Sequence, residues 1–240
     1  MEFCDLHTHI LPGVDDGAQT MEQALEMLRN ALASDVTTVV ATPHCAVQDY
    51  FDNFDNPELH DRFSALQQAA KDIPVQLLLG GEIRVTDQLI PLLTAGKLPT
   101  INNGRYLLTE FPNDFPAQLF SRVLEQLLDQ GVLPLVAHPE RYSAVCAEPM
   151  IVEKWLNLGC HIQITGSSIL GKLGRSPQKA AQKLLRNGLV CCVASDAHNT
   201  KTRSNFLSDV YDHLSVQYSR QYANQLMYEN PLAICNNQLL

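Results

Sequence analysis

Short apolar runs alternate along the chain with longer stretches of helical periodicity. The runs Glu2–Leu6, Thr37–Ala41, Val75–Leu79, Tyr106–Thr109, Leu133–Ala137, His161–Thr165 and Val190–Ala194 predict seven strands. Several are apolar at nearly every position, the pattern of parallel strands covered on both faces. Between them, Met21, Ala24, Leu25, Leu28 and Leu32 share one helical face, and Thr20 with Gln23 predicts a capping box at its start. Leu119, Phe120, Val123, Leu124, Leu127 and Leu128 precede Gly131 as a helix precedes its C-cap; Ile151 to Leu156 precede Gly159, and Ala180 to Leu185 precede Gly188. Pro116, Pro149 and Pro177 suit first-turn positions. Apolar spacing between Phe206 and Leu214 predicts another helix, and Tyr222, Ala223, Leu226 and Met227 a last one ending before Asn230-Pro231. Strands and helices in alternation predict βα units around a parallel sheet. With no linker, repeat or low-complexity stretch, residues 1–240 read as a single barrel-like domain.

The polar residues that break this pattern cluster at one kind of place. His7, His9, Asp16, His44, Glu82, Glu110, His138, Asp196 and His198 sit at or just after the ends of the apolar runs. Strand ends are where a parallel barrel gathers its active site, so these side chains are expected to converge on one mouth. In an extended segment residues i and i+2 project to the same face, so both imidazoles of His7-Thr8-His9 reach one ion. An isolated His-x-His is more often two surface histidines, and Asp196-Ala197-His198 has the same weakness. The sorting changes that balance, because five of the eight histidines lie at strand ends. His60, in a polar helix, His161, at a strand start, and His213, in a late helix, are read as structural or solvent-exposed. Glu82 follows Gly80-Gly81, whose bare backbone allows close approach in a crowded site. Glu110 interrupts Leu107-Leu108-Thr109-Glu110-Phe111, where a buried carboxylate needs a cation or strong hydrogen bonds. Asp15 and Asp16 both precede Gly17 in what reads equally as a simple turn, and spacing does not choose between them.

Composition narrows the classes. A formal charge of −9 argues against nucleic-acid or anionic-membrane binding, which need a basic face. Seven cysteines form an odd set without framework spacing, several inside apolar runs, which points to reduced thiols and a cytoplasmic protein. The start Met1-Glu2-Phe3-Cys4-Asp5 has no basic leader, and no apolar stretch reaches membrane-spanning length, so direct membrane insertion is not expected. An oligomer is compatible with the sequence.

The segments Asp5-Leu6-His7-Thr8-His9-Ile10, Val14-Asp15-Asp16-Gly17, Ala41-Thr42-Pro43-His44, Gly81-Glu82-Ile83, Thr109-Glu110-Phe111, Ala137-His138-Pro139-Glu140-Arg141-Tyr142 and Ala194-Ser195-Asp196-Ala197-His198-Asn199 occur in this order. Together they resemble the polymerase-and-histidinol-phosphatase (PHP) superfamily, and within it the bacterial capsule- and exopolysaccharide-regulating branch of manganese-dependent protein-tyrosine phosphatases. That resemblance implies an α/β fold, a distorted seven-stranded (β/α) barrel with the metal site at the C-terminal strand ends. It implies three divalent ions, manganese by family expectation, with iron or zinc compatible with an O/N donor set. The first ion falls to His7, His9, Glu82 and Asp196, the second to Glu82, Glu110 and His138, and the third to Asp16, His44 and His198. It is the family pattern that selects Asp16 over Asp15. Arg141 and Arg203 match phosphate-gripping positions, and a phosphotyrosine protein, a bacterial tyrosine kinase, is the implied partner. One departure is the segment after His44, which carries Asp49, Asp52 and Asp55 and no basic residue where some relatives are basic. The Lys172-to-Arg175 loop supplies positive charge in its place or is a solvated turn.

The expected reaction is metal-activated hydroxide attack on a phosphomonoester, with His44 and His198 as further catalytic candidates. A cysteine-nucleophile phosphatase is excluded, since no cysteine has an arginine six positions on. Amidohydrolase-type barrels expect a histidine ending the strand after the His138 strand, where this chain has Ile164-Thr165-Gly166. Histidinol-phosphate or another small-molecule phosphatase is the enzymatic alternative, and a non-catalytic regulator of polysaccharide assembly the other.

Overall fold

The computed structural model describes residues 2–47 and 50–240; Asp49 of the acidic segment lies outside them. Nine parallel strands occur among the described residues: β1 (Phe3–Thr8), β2 (Val36–Ala41), β3 (His44–Cys45), β4 (Gln76–Leu79), β5 (Glu82–Arg84), β6 (Tyr106–Glu110), β7 (Leu133–Ala137), β8 (His161–Thr165) and β9 (Cys192–Ala194). Seven match the expected runs, β1 ending two residues later than expected and β9 beginning two later. The other two, β3 and β5, were not expected as strands. They continue β2 and β4 past Thr42-Pro43 and Gly80-Gly81 without loss of register: Val39 pairs with Leu77, and His44 with Glu82. Gly80 N donates to Ala41 O at 2.8 Å and Glu82 N to Pro43 O at 3.0 Å, so the ladder crosses both interruptions. Counted as staves, the nine strands make seven. The ring closes where β1 meets the segment after β9, through the Thr8–Ala197 bridge, with Asp196 N bonded to His7 O at 2.9 Å and His9 N to Ala197 O at 2.8 Å.

Alternation along each strand sorts the core into two layers. Cys4, Leu6, Val40, Tyr106, Leu108, Leu135, Ala137, Cys192 and Ala194 form the inner cluster, and Phe3, Val39, Leu77, Leu107, Val136, Ile162, Ile164 and Val193 pack outward beneath the helices. The floor is closed by the C-terminal segment: Ile234 and Cys235 join the inner cluster, Asn230 Nδ2 donates to Cys191 O at 2.8 Å, and Tyr106 Oη donates to Gln238 O at 2.7 Å.

The helices form largely where their patterns place them. Met21–Ala33 begins at Thr20, whose side chain accepts from Gln23 N at 3.3 Å; the returning bond runs from Gln19 N to Gln23 Oε1 at 2.8 Å, so the expected box is offset by one residue. Gly131, Gly159 and Gly188 all end helices with φ of 65° to 103°, as left-handed C-caps require. One expectation fails: the last helix does not stop before Asn230-Pro231. Arg220–Asn224 passes through a π turn at Gln225–Glu229 into Asn230–Cys235. A proline is tolerated in a first turn, where its missing N–H has no partner to lose, so Pro231 opens that final segment. No helix among the described residues is long and apolar enough to cross a membrane.

Candidate metal centre

The inner-face parity that builds the core also builds the site. Tyr106 and Leu108 point inward and Glu110 follows in phase; so do Val40 and His44, Leu78 and Glu82, and Ala194 and Asp196. Three members on two strands, His7, His9 and His138, fall out of phase, and each strand has a backbone irregularity. In β1, Cys4 and Leu6 point inward, yet His7 and His9 reach the mouth, because the register with β2 shifts between Asp5 and Thr8. Such a shift re-aims side chains at the rim of a barrel. After Ala137, His138 adopts φ +33°, and Asp196 adopts φ +54°. Left-handed backbone is unfavourable for residues with a Cβ and concentrates at functional sites.

Seven of the nine expected residues are gathered in three overlapping groups whose donor atoms lie within 4.8 Å of one another: His9, Asp16, His44 and His198; His7, His9 and Glu82; and His44, Glu82 and Glu110, with His138 and Asp196 joined by the following contacts. His138 Nε2 lies 2.8 Å from Glu82 Oε1 and 3.9 Å from Glu110 Oε1. Asp196 Oδ1 lies 3.5 Å from the Nε2 atoms of both His7 and His9. Asp16 Oδ1 lies 3.4 Å from His44 Nε2 and 3.3 Å from His198 Nε2. That leaves only His138 and Asp196 outside the groups proper, and both touch them.

The tautomers show what such a cluster holds. His9 Nδ1 donates to Asp15 Oδ2 at 2.7 Å, and His7 Nδ1 to Gln163 Oε1 at 3.1 Å. With the proton on Nδ1, the neutral form of each ring would present a lone pair at Nε2, and those two atoms face each other at 3.2 Å. Glu82 oxygens lie 3.3 Å from both. Lone pairs and carboxylates converging without a cation repel one another. Burial opposes charge on His7 and His9, but Glu82 and Asp196 beside His7, and Asp15, Asp196 and Glu82 beside His9, outweigh it and raise both above the ordinary imidazole range. Buried Glu82 Oε2 and His44 Nδ1 approach each other at 2.9 Å, and His198 Nε2 approaches Asp16 Oδ1 at 3.3 Å, but none of these three buried atoms makes a contact of hydrogen-bond geometry. Donors of N and O type, buried, convergent and unsatisfied fit divalent metal ions.

The surrounding residues complete the picture. Asp15 is buried and spends its carboxylate on His9 Nδ1, His44 N (2.9 Å) and Gly17 N (2.9 Å), whereas Asp16 is half-exposed and aimed at the imidazoles. Sequence spacing left the two aspartates equivalent; their surroundings separate an orienting carboxylate from a donor. Gly17 is obligatory beside them, since a Cβ there would fall 2.0 Å from His9 O. Arg141 Nη1 and Arg203 Nη2 both reach Asp196 Oδ2, at 2.9 and 2.8 Å. Sequence reasoning missed Gln163, the inward residue of β8, and Arg84, whose Nη1 holds Glu110 Oε2 at 2.7 Å. Both were detectable by extending strand parity: Gln163 is in phase with Thr165, and Arg84 sits two residues beyond Glu82. His60 pairs with Asp55 at 2.6 Å on an exposed helix, away from the cluster. Lys172 and Arg175 are solvent-exposed.

Fold and donor set together define an α/β barrel protein built to hold divalent metal ions at the C-terminal ends of its strands. Residues 3–236 match the family described as capsular polysaccharide synthesis, CpsB/CapC, and the chain belongs to that family. It is 33% identical over 245 residues to the tyrosine-protein phosphatase CpsB of Streptococcus agalactiae, covering 98% of this chain and 99% of that protein. It is 30% identical over 245 residues to the tyrosine-protein phosphatase YwqE of Bacillus subtilis, covering 98% and 92%. A crystal structure from work on YwqE and on CpsB of Streptococcus pneumoniae, described as unique metal-dependent tyrosine phosphatases, superposes with a TM-score of 0.91 at 31% identity, over 99% of this chain and 95% of that one. A lactonase from Listeria monocytogenes shares the fold alone, with a TM-score of 0.62 at 12% identity over 97% of this chain and 94% of that one.

Proposed function

We propose that the protein is a metal-dependent protein-tyrosine phosphatase of capsular or exopolysaccharide synthesis, one domain over residues 1–240, acting on a phosphotyrosine protein of the bacterial tyrosine-kinase class. The observation that carries this reading is the pairing of a buried N/O cluster with two guanidinium groups at its edge, in a chain of the CpsB/CapC family. In this reading His7, His9, Glu82 and Asp196 would hold one ion, Glu82, Glu110 and His138 a second, and Asp16, His44 and His198 a third, with manganese the metal the family resemblance implies; the overlap of their donor atoms supports a shared centre. Bound there, such ions supply Lewis acidity to the phosphoryl oxygens and acidify water near neutral pH.

The chain's own residues do the rest. Asp15 and Gln163 fix the His9 and His7 tautomers so that both Nε2 atoms face inward. Arg141 and Arg203 present planar forks at one edge, suited to bidentate grip on a phosphate and to orienting the ester for in-line attack. His44, partly open to solvent, and His198 border the mouth on the Asp16 side, where a leaving oxygen departs. A phenolate leaving group has a pKa of about 10, so it is expelled more readily than an alkoxide.

The test is a substrate panel on manganese-loaded protein: phosphotyrosyl peptide, phosphoseryl peptide, histidinol phosphate and a nucleotide. Turnover should favour the phosphotyrosyl peptide and vanish in His138→Ala while the circular-dichroism spectrum is kept. Preference for histidinol phosphate would replace this reading with the small-molecule one, and no turnover of any ester would favour a non-catalytic regulator.

A further inference from the structure

Resting on the phosphatase reading, we propose that Phe51 is a specificity-determining residue: a preset aromatic wall that receives the phenyl ring of a phosphotyrosyl substrate. The Phe51 ring lies 5.8 Å from the His44 ring at an interplanar angle of 12°, and His44 itself reaches into the cluster with both nitrogens, Nδ1 at 2.9 Å from Glu82 and Nε2 at 3.4 Å from Asp16. Phe51 therefore stands one ring-width from the cluster. A phosphotyrosine has the same proportions, with its phenyl ring separated from phosphorus by a single ester oxygen. Aromatic pairs are favourable at centroid separations of about 4.5–7 Å, and Phe51 already stands at such a spacing, 5.8 Å, from a ring of the cluster.

The wall is held in place before any ligand arrives. Phe51 exchanges two backbone hydrogen bonds with Val47, each 3.0 Å. Asn53 Nδ2 donates to Val14 O at 3.0 Å and to His44 O at 2.8 Å, tying the segment to both sides of the site. Cys45 Sγ adds a contact to Asp52 O at 3.2 Å. Folding gives no reason for aromatics here: Phe51 is only half-buried, and the adjacent Tyr50 is 80% exposed. An open cleft of about 400 Å³ runs beside them, lined by Gly13, Val14, Tyr50, Phe51 and Phe54 among others. The same segment lacks basic residues, so recognition here falls to the ring rather than to charge along an extended anionic partner.

The experiment compares binding of two stable phosphonates, benzylphosphonate and methylphosphonate, to the manganese-loaded protein by calorimetry, in wild type, Phe51→Leu and Phe51→Trp. Both ligands present the same anion to the cluster and differ only in the ring. Phe51→Leu should weaken benzylphosphonate by about three- to tenfold, the range expected of one aromatic pair, and leave methylphosphonate unchanged. Phe51→Trp should retain the preference for the ring. If Phe51→Leu weakens both ligands in parallel, the residue only packs against His44 and the proposal is overturned. Equal affinity of wild type for the two phosphonates overturns it as well. Failure of wild type to hydrolyse a phosphotyrosyl peptide is a separate result and strikes the functional reading itself.

Discussion

Asp15→Asn is the substitution that best separates an orienting carboxylate from a metal donor. The native carboxylate accepts three hydrogen bonds, from His9 Nδ1 at 2.7 Å, His44 N at 2.9 Å and Gly17 N at 2.9 Å. Asparagine keeps the shape but has one acceptor oxygen, so at least one of three donors turns to face an NH2 group. The bond most exposed to loss is the one to His9, which fixes the proton on Nδ1 and the lone pair on Nε2. A hydrogen bond to a charged group contributes roughly 1.5–3 kcal/mol net. At about 1.4 kcal/mol per decade, metal affinity should fall by roughly 10- to 100-fold, the usual range for a lost partner of a ligand histidine. Apparent manganese affinity from calorimetry and from activation of turnover both read this. Asp15→Asn should also lower thermal stability, whereas Asp16→Asn, at a side chain 53% exposed, should weaken metal binding with little change in melting temperature. Burial works to raise Asp15, but the bonds from His9, His44 and Gly17 outweigh it and hold the group below the ordinary carboxylate range. Its contribution is therefore present above an unfolded-state pKa of about 4 and is lost as pH falls through the lower folded value. The stability gap between wild type and variant should close in acid. Superimposable manganese titrations for wild type and Asp15→Asn would refute the orienting role.

Three further outcomes follow from the same geometry. Arg84→Gln removes the 2.7 Å hold on Glu110 Oε2 and should weaken manganese binding about tenfold, read as a shifted or missing class of sites in calorimetry; an unchanged isotherm would mean that Glu110 is positioned without it. Chelation should abolish turnover and, for each ion held at about 100 times its dissociation constant, remove about 2.7 kcal/mol of stability, a fall of roughly 5–10 °C in melting temperature per ion that added manganese restores. Alkylation of the native protein near pH 7.5, followed by mass spectrometry, should modify Cys191 ahead of Cys45 and Cys160. The Cys192 hydrogen bond, with His161, lowers Cys191 to about 6, while burial pushes Cys45 and Cys160 to about 12. Equal rates at Cys191 and Cys45 would contradict that ordering.

How far the sequence reaches into this site follows from strand parity. Where a stave runs straight, the side chain two or four residues beyond the last inward apolar residue lands in the mouth, and that rule alone places His44, Glu82, Glu110 and Asp196. It also makes β3 and β5 intelligible afterwards: Pro43 and the Gly80-Gly81 pair read as strand terminators one chain at a time, yet they lie opposite each other, so register survives both breaks. Only pairing in three dimensions reveals that compensation. His7, His9 and His138 break the parity rule, and the register shift in β1 and the left-handed turn at His138 bring them back. Neither irregularity has a local signature, since no glycine marks it. The residues overlooked or left ambiguous act through others: Gln163 sets the His7 tautomer, Asp15, which spacing left level with Asp16, sets that of His9, and Arg84 restrains Glu110. A ligand announces itself by type and position, because a buried imidazole or carboxylate is costly enough to demand a reason. An orienting residue is an ordinary polar side chain until the ring it serves is seen beside it, which is why the chemistry of this site was legible and its tuning was not.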